Sequence, residues 1–215
     1  PSNKVDQFVT LAKEIVSSRY PNLETPDFTS IIDDKAFTRL HTTLEDAIEK
    51  GAQSVNLLGE AKPDPDSRKI PPQLLLNISD EMLIMQDEIF GPLLPIIPYD
   101  NLQDVIDYIN NHQRPLALYL YSDSKETQQK MIYNTISGGM CINDCMSHVA
   151  QHDMPFGGIG NSGMGHYHGK EGFIEFSKLR PIFKQAKKSA VLAMAPPYGK
   201  AFEKMANTIL KWKIY

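Results

Sequence analysis

Between residues 93 and 143, apolar runs of strand length alternate with single stretches of helical periodicity. This alternation constrains the fold more than any other feature of the chain. A strand is predicted over 93–99, followed by a helix carrying Leu102, Val105, Ile106 and Ile109. A second strand over 116–121 precedes a helix with Met131, Ile132 and Ile136, and a third over 140–143 follows Gly138-Gly139. Asn101 with Asp104, and Ser124 with Thr127, stand where helix N-caps belong. Strands separated by single helices take right-handed crossovers, so the expected class is α/β, a doubly wound and mostly parallel sheet flanked by helices. Pro95 and Pro98 lie in the first of these strands, and proline cannot donate to a ladder, which places that strand at an edge or a bulge.

Two amphipathic helices lead the chain. Val5, Phe8, Val9, Ala12, Ile15 and Val16 recur at three- and four-residue spacing up to Pro21. Ala36, Phe37, Leu40, Leu44, Ala47 and Ile48 repeat the pattern before Gly51. Short strands are expected over 54–58 and 73–78, separated by a charged, proline-containing loop at 62–68. A chain of 215 residues accommodates one sizeable domain with an appendage. The expected division is an α/β portion over 1–170, a C-terminal edge strand within 171–187 and a basic tail over 188–215. Ile174, Phe176 and the run to Phe183 alternate enough for that strand, and Pro181 restricts it to an edge.

Hydrophobic residues make up 41% and charged residues 22%, which excludes disorder and fibrous repeats. No apolar run has the length of a membrane span, and the first residues lack a signal-peptide pattern, so the expected location is the cytoplasm. The net charge of −4 gives no indication of nucleic-acid binding. Charge is unevenly spread, with seven lysines against one acid, Glu203, over 181–215. Such a segment docks on an anionic partner or membrane surface, or packs as a solvated tail on its own protein, and the second is commoner. The chain opens on Pro1 rather than methionine, which points to a processed or truncated product.

Three motifs invite chemistry and are set aside. Gly158-Ile159-Gly160-Asn161-Ser162-Gly163 matches the dinucleotide fingerprint G-x-G-x-x-G. That fingerprint needs a strand feeding into it, a helix starting within it and an acid about 20 residues on. Here a loop sequence from His152 precedes it and Phe183 stands at the acid's position, so a loop allowing close backbone approach is the better reading. Cys141, Cys145, His148 and His152 offer soft metal ligands, but their spacing matches no common zinc module, and no metal is expected. Either cysteine could be a nucleophile, yet Cys145 lies beside Asp144, the wrong charge for a thiolate. Small buried hydrophobes are the simpler reading.

Glu88-Ile89-Phe90-Gly91-Pro92 is more informative. In an extended segment Glu88 and Phe90 would face the same side. A carboxylate accepts both hydroxyls of a ribose diol and a phenyl ring offers a flat apolar surface, although an exposed Glu and a core Phe would look the same. This segment is followed about 65 residues later by Pro155-Phe156-Gly157-Gly158-Ile159-Gly160-Asn161-Ser162-Gly163-Met164-Gly165 and by His168-Gly169-Lys170. Together they resemble the C-terminal half of the aldehyde dehydrogenase family, and the His-Gly-Lys extension resembles its class 3 branch. The resemblance covers roughly residues 1–187.

The resemblance implies NAD or NADP as cofactor, a small aromatic aldehyde as substrate and a homo-oligomer, expected to be a dimer, as the working form. It assigns Glu88 to the nicotinamide-side ribose hydroxyls and Phe90 to the ribose and nicotinamide. It makes the segment 143–156 the wall of the aldehyde pocket, with Asn143, His148 and Phe156 as candidate substrate-binding residues. It also implies a mechanism in which a cysteine thiolate attacks the aldehyde, the thiohemiacetal gives hydride to NAD(P)+, and a glutamate-activated water hydrolyses the thioester. The family's nucleophilic cysteine and general-base glutamate stand upstream of the region resembling this chain. Cys141 and Cys145 therefore inherit no catalytic role, and the chain is expected to be inactive alone. The alternative is a stand-alone α/β binding or interaction module without catalysis.

Overall fold

Local capping fixes the helices before packing does. The computed structural model describes residues 1–187, 189 and 195–212. A short 3₁₀ turn leads into α1, Val5–Arg19, which stops at Tyr20 before Pro21. Helix α2, Asp34–Glu49, begins where the Asp33 carboxylate accepts the Ala36 N–H at 2.7 Å. It ends at Gly51, whose φ of +99° is the left-handed backbone that glycine adopts without strain. Helices α3, Leu102–Asn111, and α4, Lys125–Asn134, start at the expected caps. The Asn101 side chain accepts from Gln103 N at 3.0 Å, and the Ser124 hydroxyl accepts from Thr127 N at 3.2 Å.

The strands are β1, Gln53–Asn56; β2, Gln73–Leu76; β3, Leu93–Pro95; β4, Ala117–Leu120; and β5, Gly139–Ile142. The class is α/β as expected, but the strands form two ladders rather than one continuous sheet. Strands β1, β2 and β3 lie in that order, and β4 pairs with β5. The second ladder is a parallel crossover through α4, in register Ala117 to Gly139 and Leu120 to Ile142. The first ladder is mixed. Strand β3 runs parallel to β2, whereas β1 runs antiparallel. The segment between β1 and β2 contains no helix and returns the chain antiparallel, whereas the equally long segment between β2 and β3, which holds only a 3₁₀ turn, crosses over to a parallel neighbour. Strand β3 is an edge strand and Pro95 is its last residue, as the missing proline donor demands.

The core lies where α2 covers the three-stranded sheet. Phe37, Leu40, Leu44 and Ala47 from α2 pack with Ile70, Leu75, Met82, Ile84 and Leu93. By contrast, α1 buries none of its residues fully, and Phe8, Leu11 and Ile15 are each about half exposed. No helix of the described residues is long and apolar enough to cross a membrane.

The C-terminal region departs from the expected edge strand. Ile174 belongs to α5, Gly169–Glu175, and residues 177–187 form no strand. The helix is possible because Gly172 lets the turn approach the Tyr167 backbone, where a Cβ would stand 3.0 Å away. Beyond it, Phe176, Leu179, Ile182 and Phe183 are all exposed, and they join neither ladder of the described residues. The basic tail includes α6, Lys200–Lys211, while residues 188, 190–194 and 213–215 lie outside the described residues.

Leu40 has no exposed surface, and its methyl groups occupy the space above Gly91, where a Cβ would come within 2.5 Å of them. Leu40→Ala is expected to destabilise the fold by about 2–5 kcal/mol, the usual cost of a core leucine truncation. Urea unfolding checks this, and a loss below roughly 1 kcal/mol would contradict the placement of Leu40.

Candidate active-site residues

Glu88 and Phe90 lie on the loop that enters β3, but the extended geometry expected for them does not hold. Phe90 has φ of +46°, the left-handed region that a bulky L-residue avoids at a cost of about 1–3 kcal/mol. The residue is 78% exposed. The Glu88 side chain is also exposed and makes no hydrogen bond or ion pair among the described residues. The loop is held by its backbone instead. Arg39 of α2 donates from Nη1 to the Glu88 carbonyl at 3.3 Å and from Nη2 to the Ile89 carbonyl at 2.7 Å. Behind Phe90, a cavity of about 380 Å³ is lined by Tyr20, Phe28, Ile31, Ile32 and Ala36.

On the preceding side, the 3₁₀ turn Leu83–Met85 is anchored to α2. The Asp46 carboxylate accepts the Leu83 N–H at 2.8 Å and pairs with Lys50 at 2.7 Å. The Lys50 hydrogen bond, followed by the Leu83 amide, lowers the Asp46 pKa. Lys50 also donates to the Glu81 carbonyl at 2.8 Å. Across the same region, Tyr108 of α3 donates to Asp80 at 2.7 Å, and burial first, then this bond, pushes its phenol up to about 12.

The second group of candidates follows β5. Asn143, with φ of +58°, accepts the Ser122 N–H at 2.7 Å through its side chain, tying the end of β5 to the turn before α4. Asp144 accepts the Cys145 N–H at 2.7 Å and a hydrogen bond from Ser147, which lowers its pKa. Cys145, expected to be buried, is instead exposed and interacts with Tyr121, whose pKa it raises. Cys141 is buried, as the simpler reading of the cysteines held, but it has a partner. Its Sγ lies 3.1 Å from His148 Nδ1, and both residues are over nine-tenths buried. His148 leans on Gly139, where a Cβ would approach its ring to 2.7 Å, and its Nε2 has no hydrogen-bond partner among the described residues.

His148 and Phe156 are brought together, with ring centroids 5.6 Å apart. Phe156 forms an isolated antiparallel bridge with Tyr167, exchanging both backbone hydrogen bonds at 2.9 Å, and its ring also stacks near His168. Neither Tyr167 nor His168 was singled out for the substrate wall in the sequence; their link to Phe156 depends on a reversal of the intervening loop. That loop is the glycine-rich segment. It carries only a three-residue 3₁₀ turn at Gly160–Ser162, and its glycines permit backbone contact: Gly158 lies against the Ser162 carbonyl and Gly157 against that of Gly165. Phe156, Tyr167, Met164 and Phe176 line a cavity of about 500 Å³ over this loop. No hydrogen bond, ion pair or ring contact joins Glu88 or Phe90 to Asn143, His148 or Phe156 among the described residues.

The arrangement thus offers two separate surfaces, an unpaired carboxylate beside an exposed ring and an aromatic-walled cavity over a glycine loop. Comparison with known proteins gives them a context. The aldehyde dehydrogenase family profile matches residues 2–182. A probable coniferyl aldehyde dehydrogenase of Pseudomonas aeruginosa is 49% identical over 206 residues, 95% of this chain and 42% of that protein. A probable coniferyl aldehyde dehydrogenase of Caulobacter vibrioides is 41% identical over 98% of this chain and 45% of its own length. Among solved structures, a substrate-bound Staphylococcus aureus AldH superimposes with a TM-score of 0.80 at 34% identity, over 97% of this chain and 44% of that one. A Mycobacterium tuberculosis aldehyde dehydrogenase complexed with NAD+ gives 0.71 at 27% identity, over 86% of this chain and 39% of its own. The chain spans less than half the length of these relatives. On the extent of that match, joined to the Glu88–Phe90 loop and the glycine segment, the chain belongs to the aldehyde dehydrogenase family.

Proposed function

We propose that these residues form the C-terminal part of an NAD(P)-dependent aldehyde dehydrogenase that oxidises an aromatic aldehyde to its carboxylic acid. The observation that carries this reading is Phe90, an exposed aromatic ring held in left-handed backbone beside the unpaired Glu88 carboxylate. The pair suits a ribose diol and a flat heterocycle. An ionised carboxylate accepts two hydroxyl donors at once, and these bonds are stronger than those to a neutral acceptor. NAD or NADP, when bound, supplies the hydride acceptor for the oxidation. Glu88 and Phe90 hold and orient that ring, a proximity effect that requires no proton transfer from either side chain.

The 143–156 segment shapes the aldehyde site. Phe156, supported from behind by Tyr167, serves as its aromatic wall, and an aromatic substrate ring matches that wall by offset or edge-on stacking. His148 is too enclosed to meet the aldehyde directly; its contact with Phe156 sets the wall's position. Asn143 fixes the exit of β5 through Ser122. The names of the relatives support an aromatic aldehyde as the substrate class. The resemblance to the family implies a cysteine nucleophile and a general base in polypeptide upstream of these residues, and neither Cys141, buried against His148, nor Cys145, beside the Asp144 carboxylate, takes the nucleophile's role in this reading. The exposed run Phe176, Leu179, Ile182 and Phe183 supplies an arm that pairs with a second subunit, and the working location is the cytoplasm.

Three outcomes are expected. The 215 residues alone produce no aldehyde-dependent NAD(P)H, followed at 340 nm after removal of host enzymes; turnover by this chain would place the nucleophile within it. In the whole protein, Glu88→Gln raises the cofactor KM about tenfold, the loss expected for one charge-assisted acceptor, and leaves the melting temperature unchanged. Unaltered KM and kcat would remove Glu88 from the cofactor site. Light scattering finds the chain associated at high concentration, and Phe183→Glu shifts it toward monomer; a monomer at all concentrations would dismiss the arm.

A further inference from the structure

We infer that Arg39 is the positioning residue that holds the cofactor loop in its left-handed form. This inference rests on the proposed role of Glu88 and Phe90. Phe90 adopts a backbone conformation that its side chain opposes, so something outside the residue has to stabilise it. Between Asp87 and Gly91 the only side-chain donors to the loop backbone, among the described residues, are the two guanidinium nitrogens of Arg39. They meet consecutive carbonyls, those of Glu88 and Ile89, immediately before Phe90. A planar fork with fixed spacing between its donors suits two successive carbonyls, and it fixes the orientation of the peptide between them. A lysine presents a single point charge and fixes less.

The neighbouring residue on the same helix completes the restraint. Leu40 fills the space above Gly91, where even a methyl group would collide with its side chain. Helix α2 therefore grips the loop on both sides of Phe90, by hydrogen bonds before it and by close packing after it. Helix α2 is itself secured in the core through Phe37, Leu40, Leu44 and Ala47, so the loop inherits the rigidity of the sheet. Arg39 meets neither ribose nor nicotinamide in this assignment. It acts through the backbone of the residues that do.

The test uses the whole protein with Arg39→Met, which keeps the apolar stem and removes the donors, Arg39→Lys, and Phe90→Ala. Limited proteolysis with a glutamate-specific protease, which cuts after Glu88, and steady-state kinetics are read on each. The expected result for Arg39→Met is at least tenfold faster cleavage after Glu88, with cleavage after Glu45 and Glu49 of α2 unchanged. Cofactor KM rises about tenfold, kcat falls several-fold, aldehyde KM stays within twofold, and Arg39→Lys falls between. Wild-type cleavage after Glu88 would overturn the clamp, as would a uniform rise at Glu45, Glu49 and Glu88 with both KM values moving together. Wild-type cofactor kinetics in Phe90→Ala would instead remove the cofactor role of the loop, and the cleavage result would still decide whether Arg39 holds it.

Discussion

The packing of α2 on the three-stranded sheet is the interaction on which the other features depend. Its buried face, from Phe37 to Ala47, closes the core over Ile70, Leu75 and Leu93. Its flank carries Arg39 to the Glu88–Ile89 carbonyls and Asp46 to the turn at Leu83. A single helix thereby supports a loop whose backbone would not keep its conformation in isolation. Apolar burial provides the stability, and polar groups on the same helix direct it to particular peptide units.

Much of this was legible in the sequence. The three- and four-residue spacing of apolar side chains located α1 and α2, and alternation located β4, α4 and β5, because both signals are local. Caps at Asn101 and Ser124 were readable for the same reason. Pro95 marked an edge strand through the absence of one donor. The antiparallel entry of β1 was not readable, since its direction depends on how a helix-free loop returns. Nor was the strand expected around Ile174, where alternation in a short run competes with a glycine that lets one helical turn close.

Site residues divide along the same line. Glu88, Phe90, Asn143, His148 and Phe156 stood out as residue types within recognisable segments. The left-handed backbone of Phe90 left no trace, because no residue type near it demands that conformation. Arg39 was invisible for a different reason: it lies 49 residues from the carbonyl of Glu88, and one arginine on a helix surface resembles any other. The Cys141 contact with His148 sat inside a cluster first weighed for metal binding, yet the pair is packed between β5 and Phe156.

The glycine-rich segment has a mechanical consequence. Gly138, immediately before β5, lies against the carbonyls of both Gly157 and Leu116, so three stretches of main chain touch with no side chain between them. Soft material has been removed from that junction. A side chain at Gly138 would have to part those backbones, so the spacing between the β4–β5 ladder and the residue after Phe156 is set by main chain alone.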